Sequence, residues 1–444
     1  MKPQIIARAG VLLFSLYIST SFAADRYVVR TASRPFESIW DLTGRHGGSV
    51  KKSLRNLGDD NVYLVDLPSS ALQAFKEERD VESVEPEQPV TLPLRNFHPN
   101  SFPNGTPTLP QLADPARKIM FFGSLAWGPY LNQPAAGIIR TDEARRYATG
   151  AGVVAVIDTG VDPTHPVLAP ALTFGWDFTR DVWGGSEQAD IDQEVTPILD
   201  QEVTPILDRG GVVILNQDSL RLNQEVTPIL DNRVPAALGH GTMTAGIVHL
   251  VAPTTKIMPL KAFRSDGTGL LSDVIAAIYW AADHGANVIS MSFDASASSP
   301  ELAKAVRYAN SKGIVLVASA GNDGQNVMVY PAGYDSVIGV ASTSDQDVRS
   351  NFSNYGQVVT LAAPGEAIVT TYPRNRYALG WGTSFSAPMV SGAAALLLQI
   401  DRSISPWEAL DALSEAVDIN SKGMGEGRLD LVKACIAASR QKWY

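Results

Sequence analysis

The chain has a single cysteine, Cys435, among its 444 residues, so it cannot form a disulfide bond within itself. It has fewer basic than acidic residues, 36 against 46, and a formal net charge of −10 at pH 7. This balance argues against a nucleic-acid partner, because binding to phosphates needs a basic surface. Beyond the N-terminus, no apolar run is long enough to span a bilayer. The rest is an ordinary globular composition, sufficient for one large domain and a small one.

The first residues have the pattern of a secretory signal peptide. Two basic residues precede an apolar stretch from Ala9 to Phe22, and Ser21-Phe22-Ala23 fits the small residues of a cleavage site. We therefore expect residues 1–23 to be removed and the protein to be secreted or periplasmic. An uncleaved membrane anchor is the alternative, and it is disfavoured because the apolar core is shorter than the ~20 residues that a span needs.

Residues 24–92 have a pattern of short elements of their own. Alternating apolar positions predict strands, and one stretch between them has helical periodicity. The predicted elements are strands at 26–30, 62–66 and 81–90 and a helix at 70–79. Residues 93–126, rich in proline, asparagine and glycine, favour a linker. The sequence therefore predicts a small α+β domain that is joined by a linker to the rest of the chain.

From residue 141 onward, apolar strands alternate with helices. The strands are nearly continuous apolar runs, which fit strands buried on both faces of a parallel sheet. The predicted strands lie at 153–158, 256–262, 287–292, 314–319 and 336–341. The predicted helices lie at 241–250, 270–284, 299–312, 384–399 and 405–416. Strand–helix–strand units of this kind predict an α/β fold with a mainly parallel central sheet.

Three short segments carry a carboxylate, an imidazole and a hydroxyl, in that chain order, at the ends of predicted elements. Asp158 ends a strand in V-V-A-V-I-D-T-G, His240 precedes a helix in G-H-G-T, and Ser384 begins another in G-T-S-F-S-A-P. These groups are the minimum set that makes a serine hydroxyl a nucleophile near neutral pH. Taken singly, the aspartate also fits a turn and the histidine a structural role, and Ser386 is a rival nucleophile.

Together the three motifs resemble those of the subtilisin-like serine protease family over about residues 127–435, and their order is the one found in subtilisin. The resemblance implies a subtilisin-like three-layer fold and an endopeptidase that acts through an acyl-enzyme. In that mechanism Ser384 is the nucleophile, His240 transfers the proton and Asp158 orients the imidazole. It also implies that residues 24–92 are an inhibitory propeptide that the enzyme itself removes. An unrelated accessory domain is the alternative.

The resemblance extends to the groups that bind the substrate. Asn322, in S-A-G-N-D-G, would donate its side-chain amide to the oxyanion together with the backbone N–H of Ser384. Two segments are similar to the rims of a cleft that takes an extended peptide as an added strand. The substrate-binding residues implied in this way are Gly267, Ser292, Phe293, Asp294, Ser319, Ala320, Gly321 and Val329.

Three of these positions depart from the family pattern. Phe293 and Asp294 stand where the family usually has leucine and glycine, so a bulky ring and a carboxylate occupy one rim. Val329 stands where many relatives have glycine at the floor of the first specificity pocket. We therefore expect a shortened pocket that prefers small or medium apolar residues before the scissile bond.

The chemistry requires no cofactor, and no metal ligand is assigned. The family's tight calcium site uses an aspartate after a His-Pro turn and a loop after the helix of the catalytic histidine. Here Val167 takes the aspartate position and residues 247–253 run on almost without a loop, so we expect that site to be missing. Other structural calcium sites stay open. The expected partners are protein or peptide substrates and the chain's own propeptide. We expect a mature monomer that binds neither nucleic acid nor membrane.

A repeated octapeptide separates the first two motifs. Q-E-V-T-P-I-L-D occurs at 193–200, 201–208 and 224–231, within an insertion at about 176–238. The insertion has twelve acidic and four basic side chains, so it carries most of the net negative charge. A proline in every repeat disfavours a continuous helix. A surface loop expanded by repetition is the leading interpretation. An exosite for a basic or extended partner and a cation-binding loop are the alternatives.

Two other functions compete with peptide hydrolysis. A catalytically silent relative would act as a binding module through its cleft and insertion, although all four catalytic groups are present. A lipase or esterase usually shows a G-x-S-x-G turn and the chain order Ser…Asp…His, and neither occurs here.

Overall fold

The structure is a computed structural model that includes side chains. It describes residues 26–93, 117–190, 206–207, 212–215, 229–230 and 237–441, apart from residues 34, 58, 59 and 189. The expected signal peptide, most of the linker and most of the octapeptide repeats lie outside the described residues. The chain divides into two compact units, one ending at Pro86 and the other beginning at Glu87.

The first unit is an antiparallel sheet with two short helices. Its strands are β1 (Arg26–Thr31), β2 (Ser49–Leu57), β3 (Asp60–Asp66) and β4 (Val81–Pro86), in the order β2-β3-β1-β4, and its helices are α1 (Ile39–Arg45) and α2 (Leu72–Lys76). Alternate side chains of a strand point to the same face. Tyr27 and Val29 on β1 and Tyr63 and Val65 on β3 therefore form one core with Phe75 of α2.

The last strand predicted at 81–90 is in fact two strands. β4 ends at Pro86 in the first unit, whereas β5 (Pro89–Thr91) belongs to the second. Pro86 and Pro89 lack the N–H that a continuous ladder needs, so the pairing changes partner there. Strand β2 and helix α1 are not predicted, because the first has few apolar residues and the second is too short to show a period.

The second unit contains most of the described elements. Its strands are β5, β6 (Lys118–Phe121), β7 (Ser124–Trp127), β8 (Val153–Asp158), β9 (Trp176–Asp177), β10 (Val182–Trp183), β11 (Ile206–Leu207), β12 (Val212–Leu215), β13 (Ile229–Leu230), β14 (Lys256–Lys261), β15 (Thr268–Leu270), β16 (Val288–Met291), β17 (Val315–Ser319), β18 (Val337–Thr343), β19 (Leu361–Pro364), β20 (Ile368–Tyr372) and β21 (Arg376–Gly380). Its helices are α3 (Gly128–Leu131), α4 (Pro134–Ile138), α5 (Thr141–Ala144), α6 (His240–Val251), α7 (Leu271–Asp283), α8 (Pro300–Ser311), α9 (Thr383–Ile400), α10 (Pro406–Leu413) and α11 (Leu431–Gln441).

The large sheet has eight strands in the order β10-β9-β14-β8-β16-β17-β18-β19. Every neighbouring pair is parallel except β10 with β9. Asp158, Met291 and Ser319 end β8, β16 and β17, so the segments that follow them meet at one edge. Open α/β sheets place their functional groups at that edge. The strands and helices predicted for this region agree with the observed bounds to within three residues.

Helix α9 lies in the core of the second unit. Every residue from Thr383 to Leu398 is buried, as is usual for a helix that is apolar or small on all sides. Small residues let it pack closely, and a Cβ on Gly392 would lie 2.7 Å from Cβ of Val251 on α6. Among the described helices, α9 is long and apolar enough to cross a membrane by length and composition, and 89% of that stretch is buried inside the protein.

Parts of the acidic insertion form strands. β12 pairs with β21 in a sheet of order β13-β11-β12-β21-β20. β11 and β13 come from the second and third octapeptides, and they pair in parallel so that Ile206 aligns with Ile229 and Leu207 with Leu230. Identical residues of two repeats are therefore in register. This pairing departs from the surface loop expected from the sequence.

Two glycines with different surroundings test the packing of the second unit. A Cβ on Gly339, in β18, would lie 1.9 Å from the carbonyl oxygen of Val358, whereas one on Gly137, in α4, would meet no atom within 4 Å. Gly339→Ala should lower the free energy of unfolding by about 1–3 kcal/mol. Gly137→Ala should leave it unchanged or raise it by about 0.5–1 kcal/mol. Urea denaturation of the inhibited enzyme measures both, and equal effects would contradict this packing.

Candidate active site

Asp158 and His240 form a buried pair at the edge of the large sheet. Nδ1 of His240, at the start of α6, lies 2.8 Å from Oδ1 and 3.0 Å from Oδ2 of Asp158, at the end of β8. The carboxylate also accepts the N–H of Thr159 at 2.7 Å and the hydroxyl of Thr244 at 3.1 Å. Because a carboxylate can only accept, Nδ1 carries the proton and Nε2 is the ring atom left for a reacting group.

The glycines around His240 are needed for this approach. A Cβ on Gly241 would lie 2.0 Å from the carbonyl oxygen of Gly160, so only glycine lets the helix start reach the turn after β8. Gly239 has φ of 82°, a left-handed conformation that glycine adopts without strain. The G-H-G motif is therefore explained by a close backbone contact and a left-handed backbone conformation.

Ser384 lies in the first turn of α9, beside the histidine. The ring of the next residue, Phe385, packs on the ring of His240 with 5.7 Å between their centroids. The hydroxyl of Ser384 donates to the carbonyl oxygen of Ser292 at 3.3 Å, and the hydroxyl of Ser292 donates to the carbonyl oxygen of Ser384 at 3.0 Å. Ser384 and His240, which both lie in the described part of the chain, are not hydrogen-bonded to each other. Such bonds often form only with substrate in place.

Asn322 follows β17 and presents its amide to a backbone carbonyl. Its Oδ1 accepts the backbone N–H and the hydroxyl of Thr383, both at 2.9 Å. That pairing fixes the orientation of the amide, so that Nδ2 donates to the carbonyl oxygen of Pro93 at 2.7 Å. The side-chain amide of Asn322 therefore already donates to a peptide carbonyl.

The peptide that carries this carbonyl is a segment of the same chain. β5 pairs antiparallel with β15, and the N–H of Leu92 donates to the carbonyl oxygen of Gly267 at 3.0 Å. On the opposite side Thr91 forms an antiparallel bridge with Asp294. Residues 89–93 thus lie as a strand between the two rims that the sequence indicates, with Gly267 and Asp294 in contact with them.

The sequence model of the peptidase S8 subtilase family matches residues 150–427, more than half of the chain. The chain belongs to the subtilase family. It is a serine-type endopeptidase, a hydrolase of peptide bonds.

Relatives and a solved structure agree with this membership. Thermitase from Thermoactinomyces vulgaris is 33% identical over 326 residues, which cover 71% of this chain and 97% of thermitase. Subtilisin DY from Bacillus licheniformis is 39% identical over 189 residues, 40% of this chain and 69% of that protein. The crystal structure of fervidolysin from Fervidobacterium pennivorans, a keratinolytic enzyme related to subtilisin, matches with a TM-score of 0.65 at 22% identity, over 93% of this chain and 61% of fervidolysin. That likeness confirms the predicted subtilisin-like α/β fold.

The other residues that the sequence assigns to the cleft of the subtilase are almost all buried. Phe293 is fully buried and its ring packs on Phe263 with 5.1 Å between centroids, so its side chain supports the rim from inside. Ser319 and Ala320 are also fully buried, and Val329 is 4% exposed. The bulky ring that departs from the family pattern therefore has no exposed surface while residues 89–93 lie in the cleft.

Several groups that the sequence does not single out lie around the candidate active site. Thr159 and Thr244 stand in D-T-G and G-H-G-T-M-T, where each could be read as an ordinary turn or helix residue. Glu187 is fully buried next to them, although its sequence neighbours place it in a surface insertion. His165 is fully buried, with its Nε2 3.1 Å from the carbonyl oxygen of Arg376, and burial lowers its pKa to about 4. Among the described residues, no group of three metal-binding side chains lies together.

Asp294 is half-buried in one rim of the subtilase's cleft. Its Oδ2 would lie 2.9 Å from a Cβ on Gly321, so the carboxyl reaches across to the segment that precedes Asn322. Burial, with a smaller effect from the charge of Asp323, raises the pKa of Asp294 to about 7. A carboxyl group in this place is therefore largely neutral below pH 7.

The shift at Asp294 predicts a pH dependence of stability. The folded chain keeps a proton that the unfolded chain releases above about pH 4, so the free energy of unfolding should fall as pH rises from about 4 to about 7. Asp294→Asn removes this part of the fall. The measurement is chemical denaturation between pH 4 and 8 in a Ser384→Ala background. A difference in stability between the chains with and without Asp294→Asn that does not change with pH would contradict the assignment.

Proposed function

We propose that this subtilase is a secreted endopeptidase made as a preproprotein, and that it hydrolyses peptide bonds of proteins through an acyl-enzyme intermediate. One observation carries the proposal. An extended segment of the chain itself lies in the cleft, and its last described carbonyl, that of Pro93, accepts the side-chain amide of Asn322 at 2.7 Å. A peptide bound in this way has its carbonyl where an oxyanion would be stabilised.

The geometry of the buried groups supports a role for each of them. Oγ of Ser384 forms the bond to the substrate carbonyl carbon, and its proton passes to Nε2 of His240. Rotation of the hydroxyl away from Ser292 precedes this step. Asp158 holds the imidazole through Nδ1 and stabilises the imidazolium that forms. The imidazolium then protonates the leaving amine, and water, deprotonated by the same imidazole, hydrolyses the acyl-enzyme.

The same geometry supports a proposal for the bond at which the precursor is cut. In acyl transfer the carbonyl in the oxyanion site belongs to the scissile bond. Since that carbonyl is the one of Pro93, we propose self-cleavage between Pro93 and Leu94. This places the mature N-terminus at the beginning of the predicted linker. Pro93 is also a compact residue, which agrees with a pocket shortened by Val329.

The remaining expectations complete the proposal. A signal peptide at 1–23 directs export to the periplasm or medium, and residues 24–92, as far as Pro93, act as an intramolecular inhibitor. The mature enzyme acts as a monomer on protein or peptide substrates and needs no cofactor for the chemistry. Val167 stands where the family's tight calcium site has an aspartate, so this site is missing in the proposed enzyme. The substrates should have small or medium apolar residues before the scissile bond.

Self-cleavage is tested by mass spectrometry of the purified protein beside Ser384→Ala. The wild-type chain should begin at Leu94, and the variant should retain the residues up to Pro93. A wild-type N-terminus elsewhere would contradict the proposed bond, and a variant processed to the same position would show that another protease makes the cut. A fluorophosphonate probe that fails to label the mature wild-type protein would instead favour a silent binding module.

Removal of the Asn322 amide tests the oxyanion role. Loss of such a donor in subtilisin costs about 10²–10³ in kcat, so Asn322→Ala should lower kcat by a similar factor with little change in KM. Steady-state hydrolysis of a peptide substrate by mature enzyme measures both constants. Asn310→Ala, on helix α8, is the control and should leave kcat within about twofold. A rise in KM at constant kcat would show instead that the Asn322 amide binds the substrate and the transition state equally.

A further inference from the structure

Glu187 is a fully buried carboxyl group that lies between the two segments bearing Asp158 and His240. It is 0% exposed, although it belongs to the acidic insertion at about 176–238. The mechanism does not use it, and its position is unusual for a glutamate, which is almost never fully buried without a partner. Its contacts therefore need an explanation.

The two carboxyl oxygens of Glu187 join residues that flank the catalytic pair. Oε2 accepts the backbone N–H of Gly239 at 3.0 Å and the hydroxyl of Thr159 at 3.4 Å. Oε1 is hydrogen-bonded to the hydroxyl of Thr242. Thr159 directly follows the aspartate, Gly239 directly precedes the histidine, and Thr242 is in the first turn of α6. One side chain thus contacts both segments.

The groups that Glu187 contacts are themselves linked across the same gap. Oγ1 of Thr159 accepts the N–H of Gly241 at 2.9 Å, and Oγ1 of Thr242 accepts the N–H of Asp162 at 2.8 Å. Each threonine therefore hydrogen-bonds a backbone group of the opposite segment and the carboxyl of Glu187. Removal of the carboxyl would leave buried donors on both segments without their acceptor.

The charges around Glu187 determine its protonation. Nζ of Lys261, also fully buried, donates to the carbonyl oxygens of Thr159 and Phe263 and to Oδ2 of Asp190, each at 2.7 Å, so its three protons are directed elsewhere. Burial raises the pKa of Glu187 to about 8. Its bonds to Thr242 and Gly239 and the charge of Lys261 oppose that rise, and the charge of Asp162 adds to it. At neutral pH the group is therefore mostly an uncharged acid.

We propose that Glu187 is a positioning residue, which fixes the end of β8 against the start of α6 and thereby holds Asp158 and His240 at hydrogen-bonding distance. The proposal rests on the function proposed above, because the pair that it positions is the catalytic one. A neutral carboxyl suits this role, since it offers both an acceptor and a donor without placing a second negative charge beside Asp158.

Two substitutions separate positioning from simple packing. Glu187→Gln keeps the shape, one acceptor and one donor, so it should retain kcat within about threefold at pH 7. Glu187→Ala removes all three contacts, so kcat should fall at least about tenfold while KM stays within about twofold. Glu301→Ala is the control, because Glu301 is also 0% exposed and pairs with Lys304 on α8. It should leave kcat within about threefold.

Two readouts do not depend on turnover. The low-field NMR signal of Nδ1–H of His240 reports the bond to Asp158, and Glu187→Ala should shift or broaden it whereas Glu301→Ala should not. In the folded wild type Glu187 retains a proton that it releases in the unfolded chain above about pH 4.5. The free energy of unfolding should therefore fall as pH rises from 4.5 to about 8. In Glu187→Gln the part of this fall in stability that is due to the Glu187 carboxyl should be absent. This measurement does not need Glu187→Ala, so it remains available if that variant does not fold.

The outcomes distinguish this proposal from the proposed function. An inactive wild-type enzyme with the NMR and pH effects intact would refute the function and leave the positioning role supported. A folded Glu187→Ala enzyme with unchanged kcat and an unchanged His240 signal would overturn the positioning role alone. It would also be overturned if Glu187→Gln lost as much activity as Glu187→Ala.

Discussion

The hydrogen bond between His240 and Asp158 joins segments that are 82 residues apart in the chain, and the rest of the second unit is arranged around it. Both side chains are buried, at 3% and 0% exposure. A buried carboxylate is costly unless donors surround it. Here the imidazole, the N–H of Thr159 and the hydroxyl of Thr244 supply those donors. The carboxylate can therefore orient the ring only as long as the strand end and the helix start stay in place.

The parallel sheet explains how the other groups reach this pair. β16 aligns with β8 so that Met291 lies beside Ile157, and β17 continues the register on the other side. The rim with Ser292 and the loop with Asn322 therefore begin at the edge that carries Asp158. An added strand fits between the rims because its backbone groups pair with β15 on one side and with Asp294 on the other. Residues 89–93 already occupy this place between the rims.

The sequence predicts the elements with strong local signals and misses those set by distant contacts. Long apolar runs and helical periodicity locate β8, β17 and α9, and the motifs locate Asp158, His240, Asn322 and Ser384. Nothing local shows that the chain changes sheet between β4 and β5, because that change depends on partners in two units. Nothing local shows either that the ring of Phe293 packs on Phe263. Both features depend on contacts between residues that are distant in the sequence, and only the folded chain shows those contacts.

Burial also reduces the negative charge that the acidic insertion exposes to solvent. Glu187 is mostly uncharged, and Asp177, 2% exposed, is bound by the guanidinium of Arg180 at 2.9 Å. Asp190 pairs with the same arginine and with Lys261. The formal charge of these three residues therefore does not produce an acidic surface, because each is neutral or paired within the protein. An exosite for a basic partner, one of the alternatives for the insertion, gains no support from them. In this part of the insertion the acidic side chains are bound within the protein, and Glu187 contacts the residues next to Asp158 and His240.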